Sequence, residues 1–502
     1  MARTLLLGAR VLDPGGPDGL TALEITGDRI TWVGTADDAA QREPGAVVVD
    51  LAGAVVTPAF VDAHVHATAA GLVLSGLDLT GCPSPADLLD AVASCPDPVV
   101  WGHGWQEVDW DAPPPTRAEL DRAARGRPVY LTRVDMHSAL VSSALLDRAP
   151  AAVGSPGWSD GPLTTEAHHH VRRAALAGLD TDTRRRAQQA FLDDAARRGV
   201  AVVHECAGPD ISGRDDVALL RTLPGPEVVA YWGEAVRTPE EARDLVRATG
   251  AHGLAGDVFV DGSLGSRTAA LRSPYTDAPG CTGTRFLDAC AISDHVTACT
   301  AAGIQAGFHV IGDAAADMLL TGLRTAHRRS PRWGVTHRVE HLGMVDDDQA
   351  RTLAELGVVA CVQPLFDAYW GGPDGMYAAR LGPHRAARVN PFARLRAAGV
   401  PLAFGSDCPV TPVNPWAALR AAVHHRTPGS GLRPQDAFAA HTVGGHRAAG
   451  DADPRAGRLL PGAPASYALW DGAGVLDDDP RDPCCLRTVH AGRILYDALG
   501  AG

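Results

Sequence analysis

The sequence lacks the features of membrane, secreted and nucleic-acid-binding proteins. None of its apolar runs approaches the roughly 18 residues that span a membrane, and the apolar stretch after Met1 is too short for a signal peptide. Its ten cysteines never occur at Cys-x-x-Cys spacing, which indicates buried reduced thiols rather than a disulfide or zinc-ribbon framework. The formal net charge is −14 and there is no dense basic run, which argues against nucleic acid as a partner. We therefore expect a cytoplasmic protein whose partners are a small-molecule substrate and a second copy of itself in a homodimer.

Two histidines, His64 and His66, follow an apolar run that indicates a buried strand. Residues i and i+2 of a strand point to the same side, so both imidazoles can reach one metal ion at the strand's C-terminal end. The alternative is a pair of histidines that merely share a face, because an isolated His-x-His pattern is short.

Three further short apolar runs end in a residue that can bind metal, namely His309, His341 and Asp407. The interval from His309 to His341 is close to the roughly 30 residues of one strand–helix unit, and the interval from His341 to Asp407 is about twice that. The three residues would then lie on strands n, n+1 and n+3 of one repeat.

Eight such runs occur along the chain and alternate with Ala/Arg-rich stretches that suit helices. This alternation predicts a closed α/β (β/α)8 TIM barrel, whose active site would lie at the C-terminal mouth of the strands. The predicted strands cover residues 60–66, 201–206, 228–232, 257–261, 306–310, 339–341, 358–363 and 402–406.

Both chain ends and one long insertion fall outside this repeat. Short strand-like stretches in residues 1–56 and 441–502 predict the two halves of a small β-sandwich, which leaves residues 57–440 for the barrel. Residues of about 72–180 are an insertion too long to be structureless, and we expect it to shape the pocket above the barrel mouth.

The chain resembles members of the amidohydrolase superfamily, in the branch of YtcJ-like and N-substituted formamide deformylase-like hydrolases (amidohydrolase family 3). The motifs that carry the resemblance span residues 54–470 and are specific as a set. They are Pro58-Ala-Phe-Val-Asp-Ala-His-Val-His66, Asp261-Gly-Ser-Leu-Gly-Ser-Arg-Thr-Ala269, His309-Val-Ile-Gly-Asp313, Val339-Glu-His341, Val362-Gln-Pro364, Gly405-Ser-Asp-Cys-Pro409 and Gly457-Arg-Leu-Leu-Pro-Gly462.

The resemblance implies a barrel flanked by a β-sandwich from both chain ends, and one or two divalent metal ions. Zinc is expected, although Mn²⁺ and Fe²⁺ use the same ligands. Water bound to such an ion has a pKa of about 7, so metal-bound hydroxide is the expected nucleophile. Asp407 is expected to act as metal ligand and general base, assisted by His309 or His341. The expected metal ligands are His64, His66, Glu205, His309, His341 and Asp407.

One position departs from the pattern of the binuclear relatives. The resemblance implies a carboxylated lysine, bridging two ions, four residues before Asp261, and here that position is Asp257. Asp257 is too short to fill the same place. Glu205 could supply the missing carboxylate, in which case Cys206 should point away from the mouth. Alternatively a single ion is held, and Glu205 or Asp257 orients a ligand histidine.

Candidate substrate-binding residues lie in the insertion and in the loop after the fourth strand. Trp105 in the insertion, and Asp261 and Arg267 in the loop, are expected to contact substrate. Arg133 and His137 in the insertion are further candidates for substrate contact, and ordinary packing is the competing explanation for both. We expect packing or surface roles for residues 168–170, because adjacent histidines face different directions.

Three hypotheses about function follow. The leading one is hydrolysis of a C–N bond in an amide, formamide or cyclic amide. The second is a single-metal deaminase or ring hydrolase that acts on a heterocycle, which the absence of the bridging lysine favours. The third is a barrel that has lost catalysis and serves as a binding protein, against which the presence of all five His and Asp donors argues.

Overall fold

Eight parallel strands form the central sheet of the computed structural model, which describes residues 3–42 and 44–500. Met1 and Ala2, at the start of the predicted first segment, lie outside the described residues. The first and last strands meet, because Val65 pairs with Cys408 and the Asp407 backbone N–H donates to the His64 carbonyl at 2.8 Å. The predicted (β/α)8 barrel is therefore confirmed. Its strands are Phe60–Val65, Val200–Ala207, Glu227–Trp232, Gly253–Leu254, Gln305–Val310, Arg338–His341, Val359–Val362 and Leu402–Phe404.

The barrel strands are apolar and buried because side chains fill the inside and helices cover the outside. Phe60, for example, is fully buried, and its ring lies 5.6 Å from both Trp416 and Trp470. Burial of one such side chain stabilises the fold by about 1.5–3 kcal/mol. The helices of this part are Ala67–Ser75, Thr181–Arg197, Arg214–Leu220, Pro239–Thr249, Ala289–Ala302, Asp313–Arg329, Asp347–Glu355, Pro364–Trp370, Met376–Leu381, Pro383–Ala386, Phe392–Ala398, Pro415–Val423, Pro434–Ala440 and Val443–Ala448.

The fourth strand lies earlier than predicted. The sheet contains Gly253–Leu254, whereas residues 257–261 touch it only through the bridge between Phe259 and His309. Gly256 has φ +75°, which turns the chain out of the strand, and a Cβ there would lie 2.8 Å from the Cys206 side chain. Asp257 is thereby carried over the barrel mouth.

The chain ends form two sheets that pack together. The first contains Arg3–Leu7, Ala22–Thr26, Arg29–Gly34 and Val47–Asp50, with the short helix Ala36–Ala39 beside it. The second combines both ends of the chain, from Arg10–Val11 and Val55–Pro58 with Tyr467–Trp470, Cys485–His490 and Arg493–Asp497. Leu23, Val56 and Leu469 are fully buried in the apolar layer between them. The expected β-sandwich from both termini is present.

The insertion folds into its own layer of strands and helices. Its sheet has the order Leu163–Thr164, Ser138–Val141, Val129–Arg133, Val100–Trp105, Leu77–Asp78. Its helices are Pro85–Ser94, Arg117–Ala124, Ser143–Leu146 and Thr165–Ala177. No helix among residues 3–42 and 44–500 is both long and apolar enough to cross a bilayer.

Candidate metal centre

His64 presents one ring nitrogen to the barrel mouth because a carboxylate holds the other. Its Nδ1 donates to Glu340 Oε2 at 2.9 Å, and Glu340 is held in turn by the Arg338 guanidinium at 2.7 and 2.9 Å. All three side chains are fully buried. On the neutral ring the Nε2 atom therefore carries the lone pair, as in metal-ligating histidines whose other N–H is bound to a carboxylate.

His66 is oriented in the same way by a backbone carbonyl. Its Nδ1 donates to the Cys206 carbonyl at 3.0 Å, which leaves Nε2 facing Asp407 Oδ1 at 3.0 Å. Burial lowers the pKa of His66, but the hydrogen bond to Asp407 and the charge of Asp257 raise it above its ordinary value. Burial raises the pKa of Asp407, whereas His64 and His66 lower it to well below its ordinary value. The carboxylate is thus ionised at neutral pH, and the site favours a positive charge.

Asp257 belongs to the same group of donors. Its Oδ1 lies 3.6 Å from His64 Nε2, and its Oδ2 lies 3.4 Å from His66 Nε2. The sequence indicated only a structural or supporting role for this aspartate. The turn at Gly256 moves its carboxylate to where it lies with His64 and His341 as a possible ligand set.

His341 and His309 complete the ring of imidazoles. His341 Nδ1 donates to Gln363 Oε1 at 2.7 Å, and the His309 and His341 rings lie 4.4 Å apart. Burial, followed by the charge of His309, lowers the pKa of His341 to about 3. His341 is therefore neutral at physiological pH, with Nε2 free to bind metal or substrate.

Two donors lie on strained backbone. His341 has φ +70° and Asp407 has φ +56°, in the left-handed region that non-glycine residues rarely adopt. Such residues cost about 1–3 kcal/mol each and cluster at functional sites. Both lie at the C-terminal ends of their strands, where the strain aims the side chains across the mouth.

The donor atoms fit a divalent cation. Two ligands about 2.1 Å from one tetrahedral ion lie about 3.4 Å apart, and the distances from the Nε2 atoms of His64 and His66 to the carboxylate oxygens of Asp257 and Asp407 run from 3.0 to 3.6 Å. His64 Nε2 and Asp257 Oδ1 are buried with no hydrogen-bond partner among the described residues. His66 Nε2 donates to Asp407 Oδ1 when its ring is protonated, and a divalent cation bound between the imidazoles and the carboxylates would replace that proton.

The Glu205 side chain contacts a helix rather than the barrel mouth, and the Cys206 side chain points into the barrel. Glu205 accepts the Ala67 backbone N–H at 2.7 Å, at the N-terminus of helix Ala67–Ser75. Burial raises the pKa of Glu205 to about 7. Cys206 instead turns inward, beside His64 and Glu340. The sequence predicts an outward Cys206 only if Glu205 points into the mouth, and the observed contact of Glu205 is instead a helix cap.

The chain contains no lysine at any position. A carboxylated lysine therefore cannot bridge two ions here, either at residue 257 or on another strand. With Glu205 turned towards a helix, Asp257 and Asp407 are the carboxylates of the described residues that lie within 4.0 Å of the Nε2 atoms of His64 and His66.

Two cavities meet at the metal centre. The larger is lined by His66, Asp257, His309, His341 and Asp407 together with the insertion. The second shares His309, His341 and Asp407 and continues between apolar side chains. The wall that both cavities share with the insertion contains Asp135 and His137.

The three residues expected to bind substrate lie elsewhere. Trp105 is buried in the apolar layer of the insertion, and its Nε1 donates to the Leu131 carbonyl at 2.9 Å. Asp261 accepts backbone N–H groups of Ala270, Ile311 and Gly312 at 2.8–2.9 Å. Arg267 pairs with Asp277 at 2.7 Å. None of the three lines either cavity, since each is engaged in packing or loop contacts.

The insertion contributes residues that sequence reasoning weighed less or missed. Arg133 is buried and pairs with Glu107 and Asp135, at 2.8 and 3.0 Å, rather than facing substrate. His168 and His169, expected to pack or lie on the surface, form part of the cavity wall. Tyr130 and Arg172 also line this cavity and had no spacing signal. Glu340 and Gln363 lie within the motifs Val339-Glu-His341 and Val362-Gln-Pro364. Their place in these motifs could have identified them from the sequence.

Comparison with known proteins identifies the family of this chain. Residues 47–496 match the model of the Amidohydrolase family. The putative amidohydrolase YtcJ of Bacillus subtilis is 26% identical, with 75% of this chain and 74% of that protein covered. The N-substituted formamide deformylase of Arthrobacter pascens is 25% identical, with 96% and 95% covered. The crystal structure of a metal-dependent hydrolase from Pyrococcus furiosus is 26% identical with a TM-score of 0.73, and the match covers 94% of this chain and 99% of that one. The chain therefore belongs to the Amidohydrolase family.

Proposed function

We propose that this chain hydrolyses a C–N bond of an amide, formamide or cyclic amide around one divalent ion, with zinc as the expected metal. The residues that would hold the ion are His64, His66, Asp257 and Asp407, with His341 adjacent. Membership of the Amidohydrolase family and the similarity to a formamide deformylase support C–N hydrolysis.

One observation carries the proposal. Four buried donor side chains from three separate segments of the barrel converge, with imidazole nitrogens and carboxylate oxygens 3.0–3.6 Å apart. Hydrogen bonds to Glu340 and to the Cys206 carbonyl fix the two imidazoles so that their lone pairs face the carboxylates. Buried polar atoms without partners are costly, and His64 Nε2 and Asp257 Oδ1 have none among the described residues, so a bound cation would stabilise this arrangement.

Asp407 has the position and charge of a general base. It is ionised at neutral pH, lies 3.0 Å from His66 Nε2 and lines both cavities. It would accept the proton of the attacking water and later deliver it to the leaving nitrogen. The neutral imidazole of His341 and the ring of His309, both on the walls of both cavities, would contact the scissile carbonyl. A bound divalent ion would polarise that carbonyl and acidify the water.

The test is a hydrolysis assay on protein loaded with Zn²⁺, against N-formyl amines, N-acyl amines and cyclic amides. Asp407→Asn should lower kcat by about 10²–10⁴-fold at saturating metal, because the general base is lost. Asp374→Asn, which changes an exposed carboxylate, is the matched control and should retain full activity. Absence of hydrolysis by the loaded wild type, or full activity of Asp407→Asn, would refute the proposal.

A second candidate is a single-metal deaminase or ring hydrolase that acts on a heterocycle. The absence of lysine and the orientation of Glu205 favour it, because both argue against a second bridged ion. Release of ammonia from amino-substituted heterocycles, with no turnover of open-chain amides, would identify this reaction.

A further inference from the structure

Arg172 is a buried cation in the wall of the larger cavity. It lies on helix Thr165–Ala177 of the insertion and is 7% exposed. The same cavity is lined by His66, Asp257 and Asp407, so Arg172 shares one continuous space with the metal centre.

The guanidinium hydrogen-bonds only to uncharged groups. Its Nε donates to the Tyr130 hydroxyl at 3.3 Å, and its two terminal nitrogens donate to the Asp210 carbonyl at 3.2 Å and to the Met136 carbonyl. No carboxylate among residues 3–42 and 44–500 lies within 4.0 Å of it, since the Asp210 side chain is turned towards Arg173 and His169.

The other deeply buried arginines differ from Arg172 in this respect. Arg133 is paired with Glu107 and Asp135, Arg338 with Glu340, and Arg380 with Glu107 and Asp277. A buried charge is costly unless it is paired. Arg172 therefore needs an anion that the neighbouring side chains do not provide.

The histidines beside Arg172 are neutral, so the guanidinium is the positive charge at this end of the cavity. His168 Nε2 forms a hydrogen bond of 2.9 Å with the Tyr130 hydroxyl. Burial, followed by the charge of Arg172, lowers the pKa of His168 well below its ordinary value. Burial also lowers the pKa of His169 to about 4, although Asp210 opposes this. Both imidazoles are neutral at physiological pH. Asp135, a negative side chain on the same wall, is already paired with Arg133.

We propose that Arg172, with the Tyr130 hydroxyl beside it, forms a subsite for a carboxylate group of the substrate. A guanidinium binds a carboxylate through parallel N–H donors. Ala69, Leu72, Leu176 and Phe259 line the same cavity and suit an apolar linker. Resting on the proposed function, this assigns a substrate class, namely amides or cyclic amides that bear a carboxylate across a short apolar spacer from the scissile C–N bond.

The test compares two probes that differ in one charge, 3-phenylpropionate and 3-phenylpropionamide, by calorimetric titration of the metal-loaded protein. The carboxylate should bind about 10–100-fold more tightly, as expected for hydrogen bonds to a charged group. Arg172→Gln should reduce that preference to less than about threefold. Arg173→Gln changes the next residue, which is half exposed, and should retain it.

Either of two results would overturn the subsite. The wild type could bind both probes equally, or Arg172→Gln could retain the preference, which would mean that the metal centre holds the carboxylate. If Arg172→Gln does not fold, Leu176→Glu places a carboxylate one helical turn away at a half-buried position of the same wall. That variant should abolish the preference with Arg172 intact, and a retained preference would count against the proposal.

The outcome is separable from that of the proposed function. Binding of the probes does not require turnover, so a preference that depends on Arg172 would stand even if no C–N bond were cleaved. Conversely, hydrolysis of carboxylate-bearing amides at equal efficiency in wild type and Arg172→Gln would support the reaction and refute the subsite.

Discussion

His64 Nδ1 lies 2.9 Å from Glu340 Oε2, and this contact determines which nitrogen of His64 faces the metal centre. Both side chains are fully buried, and Arg338 holds both oxygens of Glu340. Burial raises the pKa of Glu340, whereas Arg338 and the hydrogen bond from His64 lower it to well below its ordinary value. The carboxylate is therefore charged, and it fixes the tautomer of the ligand.

Glu340→Gln should weaken metal binding by about 10–100-fold, as is usual when the partner of a ligating histidine is changed. It should also lower the free energy of unfolding by about 3 kcal/mol, because Arg338 then keeps a buried charge with no carboxylate. Competition with a chromogenic chelator measures the first effect and urea unfolding the second. Glu355→Gln, at an exposed position, is the control. Unchanged metal affinity in Glu340→Gln would contradict the orienting role.

Asp257→Asn should lower metal affinity by at least about tenfold, because it removes a charged ligand next to His64 and His66. Elemental analysis of the wild type should give about one ion per chain. Glu205→Gln should keep that content, because its carboxyl contacts the Ala67 N–H. Two ions in the wild type and one in Glu205→Gln would instead establish Glu205 as a bridging ligand.

Asp135 should stabilise the fold in a pH-dependent way. Burial raises its pKa, but Arg133 and then His137 lower it to about 2, from an ordinary value of 3.8. A carboxyl group whose pKa is lowered by folding stabilises the folded state at pH values above its pKa in the unfolded chain. This stabilisation is lost as the pH falls through its pKa in the folded state. Between about pH 5 and about pH 2, the wild type should lose roughly 2 kcal/mol more stability than Asp135→Asn.

Urea unfolding at a series of pH values measures this difference. Asp109→Asn, which changes an exposed carboxylate of the same insertion, should follow the wild-type curve. Parallel curves for the wild type and Asp135→Asn would show that the Asp135–Arg133 pair contributes no such term.

Gly71 allows two helices to approach closely. It lies in helix Ala67–Ser75, and a Cβ there would be 1.8 Å from the carbonyl oxygen of Ala187 on helix Thr181–Arg197. Gly71→Ala should therefore lower the free energy of unfolding by about 1–3 kcal/mol or more, because the helices must separate. A Cβ at Gly81 would meet open space, so Gly81→Ala should change the free energy of unfolding by less than about 0.5 kcal/mol. Calorimetry of both variants tests the contact, and equal midpoints would contradict it.

The sequence predicted the donors that end regular strands. His64, His66, His309, His341 and Asp407 each follow an apolar run, and parallel strands that close a barrel bring such positions to one mouth. The inward or outward direction of Glu205 and Cys206 could not be read in the same way. Their strand is buried on both faces, so no polar alternation marks the inner side, and its register shifts against the first strand between Val203 and Glu205.

Asp257 and Arg172 were beyond sequence reasoning for other reasons. Asp257 follows a turn at Gly256 that carries it off the sheet, so strand periodicity no longer describes its direction. Arg172 is one of many arginines on helices of the chain, and its lack of a carboxylate partner depends on how the insertion packs over the barrel. Periodicity predicts which elements form, whereas tertiary packing decides which charges remain unpaired.

The side chains that surround the metal centre and those that would recognise the rest of a substrate come from different stretches of polypeptide. The donors stand on the barrel, whereas Tyr130, Met136, His137 and Arg172 belong to the insertion. Mutations in the insertion can therefore change substrate recognition without changing the metal ligands on the barrel. The reaction can be conserved while the insertion diverges. Grafting this insertion onto a related barrel would be a direct way to transfer substrate preference between enzymes without rebuilding their chemistry.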